Sequence, residues 1–213
     1  MTSDTHIEPI PAASATQRTN ASRKHALSLP NLLTYGRILA VPVVVACLYA
    51  GGHVWLWTAV GLFVVAAITD FFDGYLARAW QQQSPLGRML DPIADKLLVS
   101  ACLLMLASTG VISGLSLWAA VVILCREVLV SGLREFLAEL RVSVPVTKLA
   151  KYKTTAQLVA VGFLLAGPAG DELIPGVTAV GLGLLWFSAI LTLYTGYDYF
   201  RAGLRHVLED PEP

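Results

Sequence analysis

Residues 55–78 read WLWTAVGLFVVAAITDFFDGYLAR. Positions 55–69 carry no charge, and then Asp70, Asp73 and Arg78 follow within one short stretch. At a rise of about 1.5 Å per residue, the segment Trp55–Ala79 crosses a hydrocarbon core of about 30 Å. Lipid offers the backbone no hydrogen bonds, so such a segment is expected to be helical. On a helix, positions 70, 73, 74, 77 and 78 share one face. That face presents two carboxylates, two small residues and one guanidinium.

The next apolar segment opens Gly87-Arg88-Met89-Leu90-Asp91-Pro92-Ile93-Ala94-Asp95. Gly87, Asp91 and Asp95 recur at helical spacing and again share a face. The connection between the two segments is short, so the two helices are expected to be antiparallel neighbours whose acidic faces meet. Asp91-Pro92 also has the form of an N-cap followed by proline at the first helical position. A cap explains one aspartate but not four on two matched faces. Four carboxylates near a bilayer interface repel one another and are costly to desolvate. Arg78 alone does not offset them, whereas two divalent ions do, and all-oxygen ligands favour Mg²⁺ or Mn²⁺. The glycines let a diphosphate approach where a side chain would block it.

Outward from this centre the chain stays apolar. Of its 213 residues 55% are hydrophobic and 14% charged, against about 25% charged in a soluble domain. This excludes a water-solvated surface and points to one polytopic membrane domain. Six segments are expected to span: Leu33–Ala50, Trp55–Ala79, Asp91–Thr109, Leu115–Phe136, Ala150–Ala166 and Val177–Gly203. Turn residues break them at Ala50–His53, Gly110–Gly114 and Gly167–Gly170. The fold class is therefore all-α, with six transmembrane helices and a short interfacial helix around Leu27–Leu32 before the first. Residues 1–24, rich in Ser, Thr, Ala and Pro, form a disordered cytoplasmic tail; 25–205 form the membrane domain and 206–213 a C-terminal tail. Cys47, Cys102 and Cys125 lie in apolar runs and are read as packing residues.

The fifteen Lys and Arg avoid the first, third and fifth connections, the last of which holds Asp171 and Glu172. By the positive-inside rule both termini and the carboxylate end face the cytoplasm, and an even number of spans requires the same. A divalent-cation transporter, the reading from a different class, would place its acids near mid-membrane in broken helices or repeated halves. Here they cluster toward one interface and no repeat is visible.

The pattern Asp70-x2-Asp73-Gly74-x2-Ala77-Arg78-x8-Gly87-x3-Asp91-x3-Asp95 resembles, without a departure, the signature of the CDP-alcohol phosphotransferase family. The resemblance implies a six-helix membrane bundle, usually a homodimer, that transfers a substituted phosphoryl group from a CDP-activated donor to an alcohol. It implies Asp70, Asp73 and Asp91 as core metal ligands, with Asp95 near the second metal and acting as the base. Asn31, Thr34, Asp70, Gly74, Arg78 and Ser84 are implied contacts to the CDP moiety, Arg78 to its diphosphate.

Arg126 lies inside the fourth segment, and Lys148, Lys151 and Lys153 enter the fifth. Cations converging on one face suit a phosphate-bearing acceptor; the bland readings are an ion pair of Arg126 with Glu127 or Glu135 and interfacial anchoring by the lysines. Arg126, Lys148 and Lys151 are the expected acceptor-phosphate ligands. Several stretches are similar to the bacterial, glycerol-3-phosphate-accepting branch of the family: Pro30–Thr34 with Arg37 and Pro42, Arg126-Glu127 then Leu133-Arg134-Glu135, and Tyr194-Thr195-Gly196-Tyr197. That similarity implies CDP-diacylglycerol as donor, glycerol 3-phosphate as acceptor and a bacterial plasma membrane as location, with no nucleic acid as partner. Inositol phosphate, which also needs a cationic pocket, and phosphatidylglycerol, as in cardiolipin synthesis, are the rival acceptors.

Overall fold

Long uninterrupted apolar segments with few breakers favour helices, and the computed structural model shows six. It describes residues 29–80, 85–139 and 148–209. The helices are α1 (Leu29–Ala50), α2 (His53–Trp80), α3 (Pro85–Ser108), α4 (Ser116–Glu139), α5 (Lys148–Asp171) and α6 (Val177–Glu209). No strand occurs among the described residues. Four helices are long and apolar enough to cross a membrane, over Asn31–Ala50, His53–Asp70, Ser116–Glu139 and Val177–Arg201. In α3 and α5 charge occupies the first turns: Arg88, Asp91, Asp95 and Lys96 in one, Lys148, Lys151 and Lys153 in the other.

Several boundaries differ from expectation; α6 runs past Gly203 to Glu209, into the stretch 206–213 read as a C-terminal tail. Leu29–Leu32, read as part of a separate interfacial helix, is the opening of α1, because Pro30 is pre-organised for a first helical turn. The rest of that segment lies outside the described residues, as does the tail at 1–24. The third helix begins at Pro85, not Asp91, so Asp91 is no cap and Pro92 sits inside the helix. Finally, α5 runs past Gly167 to Asp171, with the expected break kept as a kink at Gly167 (φ 41°, ψ −131°), a conformation that L side chains resist.

α1 packs against both α2 and α3; α5 packs against α6, α2 and α3; α4 packs against α6 and α3. Phe63, Cys102, Leu106, Ile123, Val161, Leu164 and Leu185 form the centre of the core. Cys47 and Cys102 pack as expected, whereas Cys125 is exposed. Around this apolar core, burial differs from that of a water-soluble protein. Tyr49, Val54, Trp118, Val128 and Ile190 face outward, while Asn31, Arg37, Lys153, Ser188 and Thr192 are buried. Large apolar side chains outside and polar ones within are what a lipid solvent selects.

The three connections free of Lys and Arg gather at one end of the bundle. His53 Nε2 lies 3.3 Å from Glu172 Oε1, joining the first connection to the last. A Cβ at Gly167 would stand 3.7 Å from Val111, which places the α3–α4 connection beside them. Asp171 there accepts hydrogen bonds from the backbone N–H groups of Gly176 (3.1 Å) and Thr178 (3.0 Å), capping the start of α6. Asp70, Asp91 and Asp95 lie toward the opposite end.

Candidate active site

On α1, Asn31, Thr34 and Arg37 recur every three residues and all three are buried. This polar stripe joins the acids of α2 and α3. Arg37 Nη1 stands 2.7 Å from Asp70 Oδ1 and 2.8 Å from Asp95 Oδ1, and Thr34 Oγ1 donates to Asp91 Oδ1. The acidic faces of α2 and α3 therefore meet through a guanidinium supplied by α1, not by direct pairing alone. The Arg37 side chain is 1% exposed, whereas those of Asp70 and Asp95 are 36% and 47% exposed. The cation is sealed inside and the carboxylates remain open to reactants.

Asp70, Asp91 and Asp95 form a hard, all-oxygen donor set of the kind that Mg²⁺ and Mn²⁺ prefer. A carboxylate offers about four lone-pair sites, so Arg37 on one oxygen each of Asp70 and Asp95 leaves capacity for a metal ion. Among the described residues no three acidic, His or Cys side chains are grouped closely enough to hold a metal ion. Asp73, Gly74 and Arg78 lie on α2 and Lys148 and Lys151 on α5, but their side chains fall outside the described residues, and Ser84 does so entirely.

From Asp70 and Asp95 a cavity of about 480 Å³ reaches across to α4 and α5, where Arg126, Glu127, Arg134 and Gln157 line it, with Lys96 of α3. Arg126 is held by three bonds: Nε to the Thr192 carbonyl (3.2 Å), Nη2 to Thr195 Oγ1 (3.1 Å) and Nη1 to Glu127 Oε1 (3.4 Å). Its five donors exceed these three, so the guanidinium is both anchored and able to receive an anion. Gly196 makes the approach of α6 possible, since a Cβ there would lie 3.2 Å from Arg126 Cγ. Glu127 Oε1 also accepts from the buried Lys153 Nζ. Arg134 lies over the Tyr199 ring, 5.9 Å from its centroid.

Beside this cavity runs an apolar groove of about 630 Å³ between α2 and α5, lined by side chains such as Phe63, Val64, Ile68 and Phe163. Ala67 and Leu158 line both spaces. A charged chamber thus adjoins a lipid-like slot.

Residues 27–194 match the family model described as CDP-alcohol phosphatidyltransferase. The chain belongs to that family. It is a membrane enzyme of phospholipid biosynthesis, and the family generally uses divalent metal ions. It is 47% identical over 175 residues to a protein of Rickettsia bellii named CDP-diacylglycerol–glycerol-3-phosphate 3-phosphatidyltransferase, a match covering 82% of this chain and 94% of the relative. Proteins of the same name in Cereibacter sphaeroides and Pectobacterium atrosepticum are 42% and 39% identical, each match covering 86% of this chain and 98% of the relative. Membership among phosphatidyltransferases removes the transporter reading.

Of the expected site residues, the structure brings Asp70, Asp95 and Arg126 to one cavity and bonds Thr34 to Asp91. Asn31 and Thr34, expected to line a nucleotide pocket, are buried on the α1 stripe. In the sequence Arg37 stands only as a family mark; its pairing with Asp70 and Asp95 comes from the structure. The signal was present: an arginine inside an apolar span, in step with Asn31 and Thr34. The pairing of Arg126 with Glu127, weighed as the bland alternative, is present together with the cavity position. Lys153, whose side chain is described, is buried and paired with Glu127.

Proposed function

We propose that this chain transfers the phosphatidyl group of CDP-diacylglycerol to glycerol 3-phosphate, releasing CMP and forming phosphatidylglycerophosphate. The single observation that carries this reading is the shared cavity: open carboxylates at Asp70 and Asp95, and cations at Arg126, Arg134 and Lys96, with an apolar groove alongside. The names of the relatives supply the two substrates.

Asp95 accepts the proton of the acceptor's hydroxyl. The freed oxygen attacks the phosphorus that carries the diacylglycerol. The bond from that phosphorus to the bridging oxygen breaks, and CMP leaves with the electron pair. Arg37 holds Asp70 and Asp95 at fixed separation during this exchange. Arg126, with Lys148 and Lys151, holds the acceptor's phosphate, while Gly74, Arg78, Asn31, Thr34 and Ser84 belong to the CDP side. The apolar groove takes an acyl chain of the donor. Asp70, Asp73, Asp91 and Asp95 would hold two Mg²⁺ ions, or Mn²⁺ in their place, which would supply charge neutralisation of the diphosphate and the departing CMP.

The same reading sets six spans in a bacterial plasma membrane, with both termini and the cavity mouth cytoplasmic, a membrane domain over 25–205 and a homodimeric assembly. The distribution of Lys and Arg supports the orientation. The deciding experiment offers the purified protein CDP-diacylglycerol and Mg²⁺ with glycerol 3-phosphate, inositol phosphate, phosphatidylglycerol or glycerol, and follows CMP release. Glycerol 3-phosphate is expected to win direct competition; preference for either rival acceptor overturns the assignment.

A further inference from the structure

Gln157 stands one turn beyond Lys153 on α5, is 5% exposed, and lines the cavity that holds Asp95 and Arg126. Its Oε1 atom is buried and, among the described residues, has no hydrogen-bond partner. Buried polar atoms are nearly always paired, and leaving one unpaired is costly. Gln157 lines a space built for a ligand, so a donor bound there can draw this sealed atom into a hydrogen bond by a turn of the terminal amide. An amide oxygen only accepts, so it disfavours phosphate oxygens and selects an O–H or N–H donor.

On the function proposed above, the acceptor brings three polar groups into the cavity. Its phosphate is matched by cations and its attacking primary hydroxyl by Asp95. The secondary hydroxyl is left, a donor with no assigned partner. We infer that Gln157 reads that secondary hydroxyl, accepting its hydrogen bond at Oε1 and so selecting a polyol phosphate over a simple hydroxyalkyl phosphate. The physical basis is the asymmetry of buried polar sites. A pocket that hydrogen-bonds a hydroxyl rejects the analogue lacking it, because its own polar atom then stays unpaired.

The test compares glycerol 3-phosphate with 3-hydroxypropyl phosphate, which keeps the phosphate and the primary hydroxyl. The full-length enzyme is assayed with Mg²⁺ and CDP-diacylglycerol, as parent and as Gln157→Met, a side chain of similar reach with only a weak acceptor. The parent is expected to favour glycerol 3-phosphate in kcat/KM by about tenfold or more. In Gln157→Met the ratio is expected to fall to within about twofold of unity, through loss on glycerol 3-phosphate with the KM for CDP-diacylglycerol unchanged. A parent ratio near one overturns the inference without any variant. So does a ratio preserved in Gln157→Met, or a rise confined to the KM for CDP-diacylglycerol, which would assign the atom to the nucleotide. If glycerol 3-phosphate is not an acceptor at all, the proposed function itself falls; if it is one and the ratio does not respond, only the role of Gln157 falls.

Discussion

Two halves of the bundle bury charge in opposite senses. In α1–α3 a sealed cation, Arg37, sits behind carboxylates that stay open to the cavity. In α4–α6 the acid Glu127 is enclosed between Arg126 and Lys153, and the cations are the larger presence. Each half offsets most of its own desolvation internally, as intramembrane charges require. What each leaves open differs: Asp70 and Asp95 on one wall, and on the other Arg134 and Glu135, beside an Arg126–Glu127 pair whose side chains are 11% and 19% exposed. A substrate that brings a proton to be removed and a phosphate to be held fits between them. The comparison also separates residues that touch reactants from those that hold others in place, and that division can be tested.

The largest effect belongs to the acidic wall. Asn in place of Asp70, Asp73, Asp91 or Asp95 keeps shape and removes charge, and each is expected to lower CMP release by about 10²–10⁴-fold. Excess chelator should have the same consequence for the parent. Near-normal turnover in Asp91→Asn, or in chelator, would break the metal-site half of the comparison.

Next comes the sealed cation. Arg37→Gln removes the group that holds Asp70 and Asp95 together, and hydrogen bonds to charged groups are worth about 1.5–3 kcal/mol each. A fall of about tenfold or more in kcat is expected, with the divalent-ion requirement shifted because the acids now repel without a counter-charge. An unchanged metal titration would show that Arg37 does not set their separation.

The cationic wall should split into two behaviours. Arg126→Ala is expected to raise the acceptor KM by about tenfold while leaving the KM for CDP-diacylglycerol within error. Lys153→Met instead leaves Glu127 with Arg126 alone, and losing a hydrogen bond between charged groups costs about 1.5–3 kcal/mol of stability. Lower yield and lower thermal stability, measured in detergent, are its expected signature. If both variants gave the same KM rise, Lys153 would be a ligand and the distinction between wall and support would fail.

The smallest effect is steric. In Gly196→Ala the new methyl crowds Arg126 Cγ at 3.2 Å, so the guanidinium shifts by a few tenths of an ångström. A KM rise of about two- to threefold for the acceptor is expected, smaller than that of truncation because the charge remains. No change would mean that α6 yields more easily than its packing implies.

Much of this site was legible in residue order. The spacing of Asp70, Asp73, Asp91 and Asp95 is a local property of two helices, and periodicity places them on shared faces without any fold. Arg126 announced itself as an intramembrane charge. Helix α3 starts earlier than its sequence suggests, because Asp91-Pro92 imitates a helix start so closely. Helix formation carried on back to Pro85, and the interior proline was tolerated.

By itself, then, the sequence determined the helical class, the segment order, the end at which charge collects and the shared-face spacing of the four aspartates. Each follows from spacing of a few residues or from the cost of placing charge in lipid, and neither depends on distant partners. Only the tertiary structure decided that Arg37 binds Asp70 and Asp95, that Glu127 joins Arg126 to Lys153, and that Gln157 faces the same cavity. The physical reason is separation along the chain. Arg37 and Asp95 are 58 residues apart and Arg126 and Thr195 are 69 apart, so no periodicity links them; they meet because α1 packs against α2 and α3, and α6 against α4 and α5.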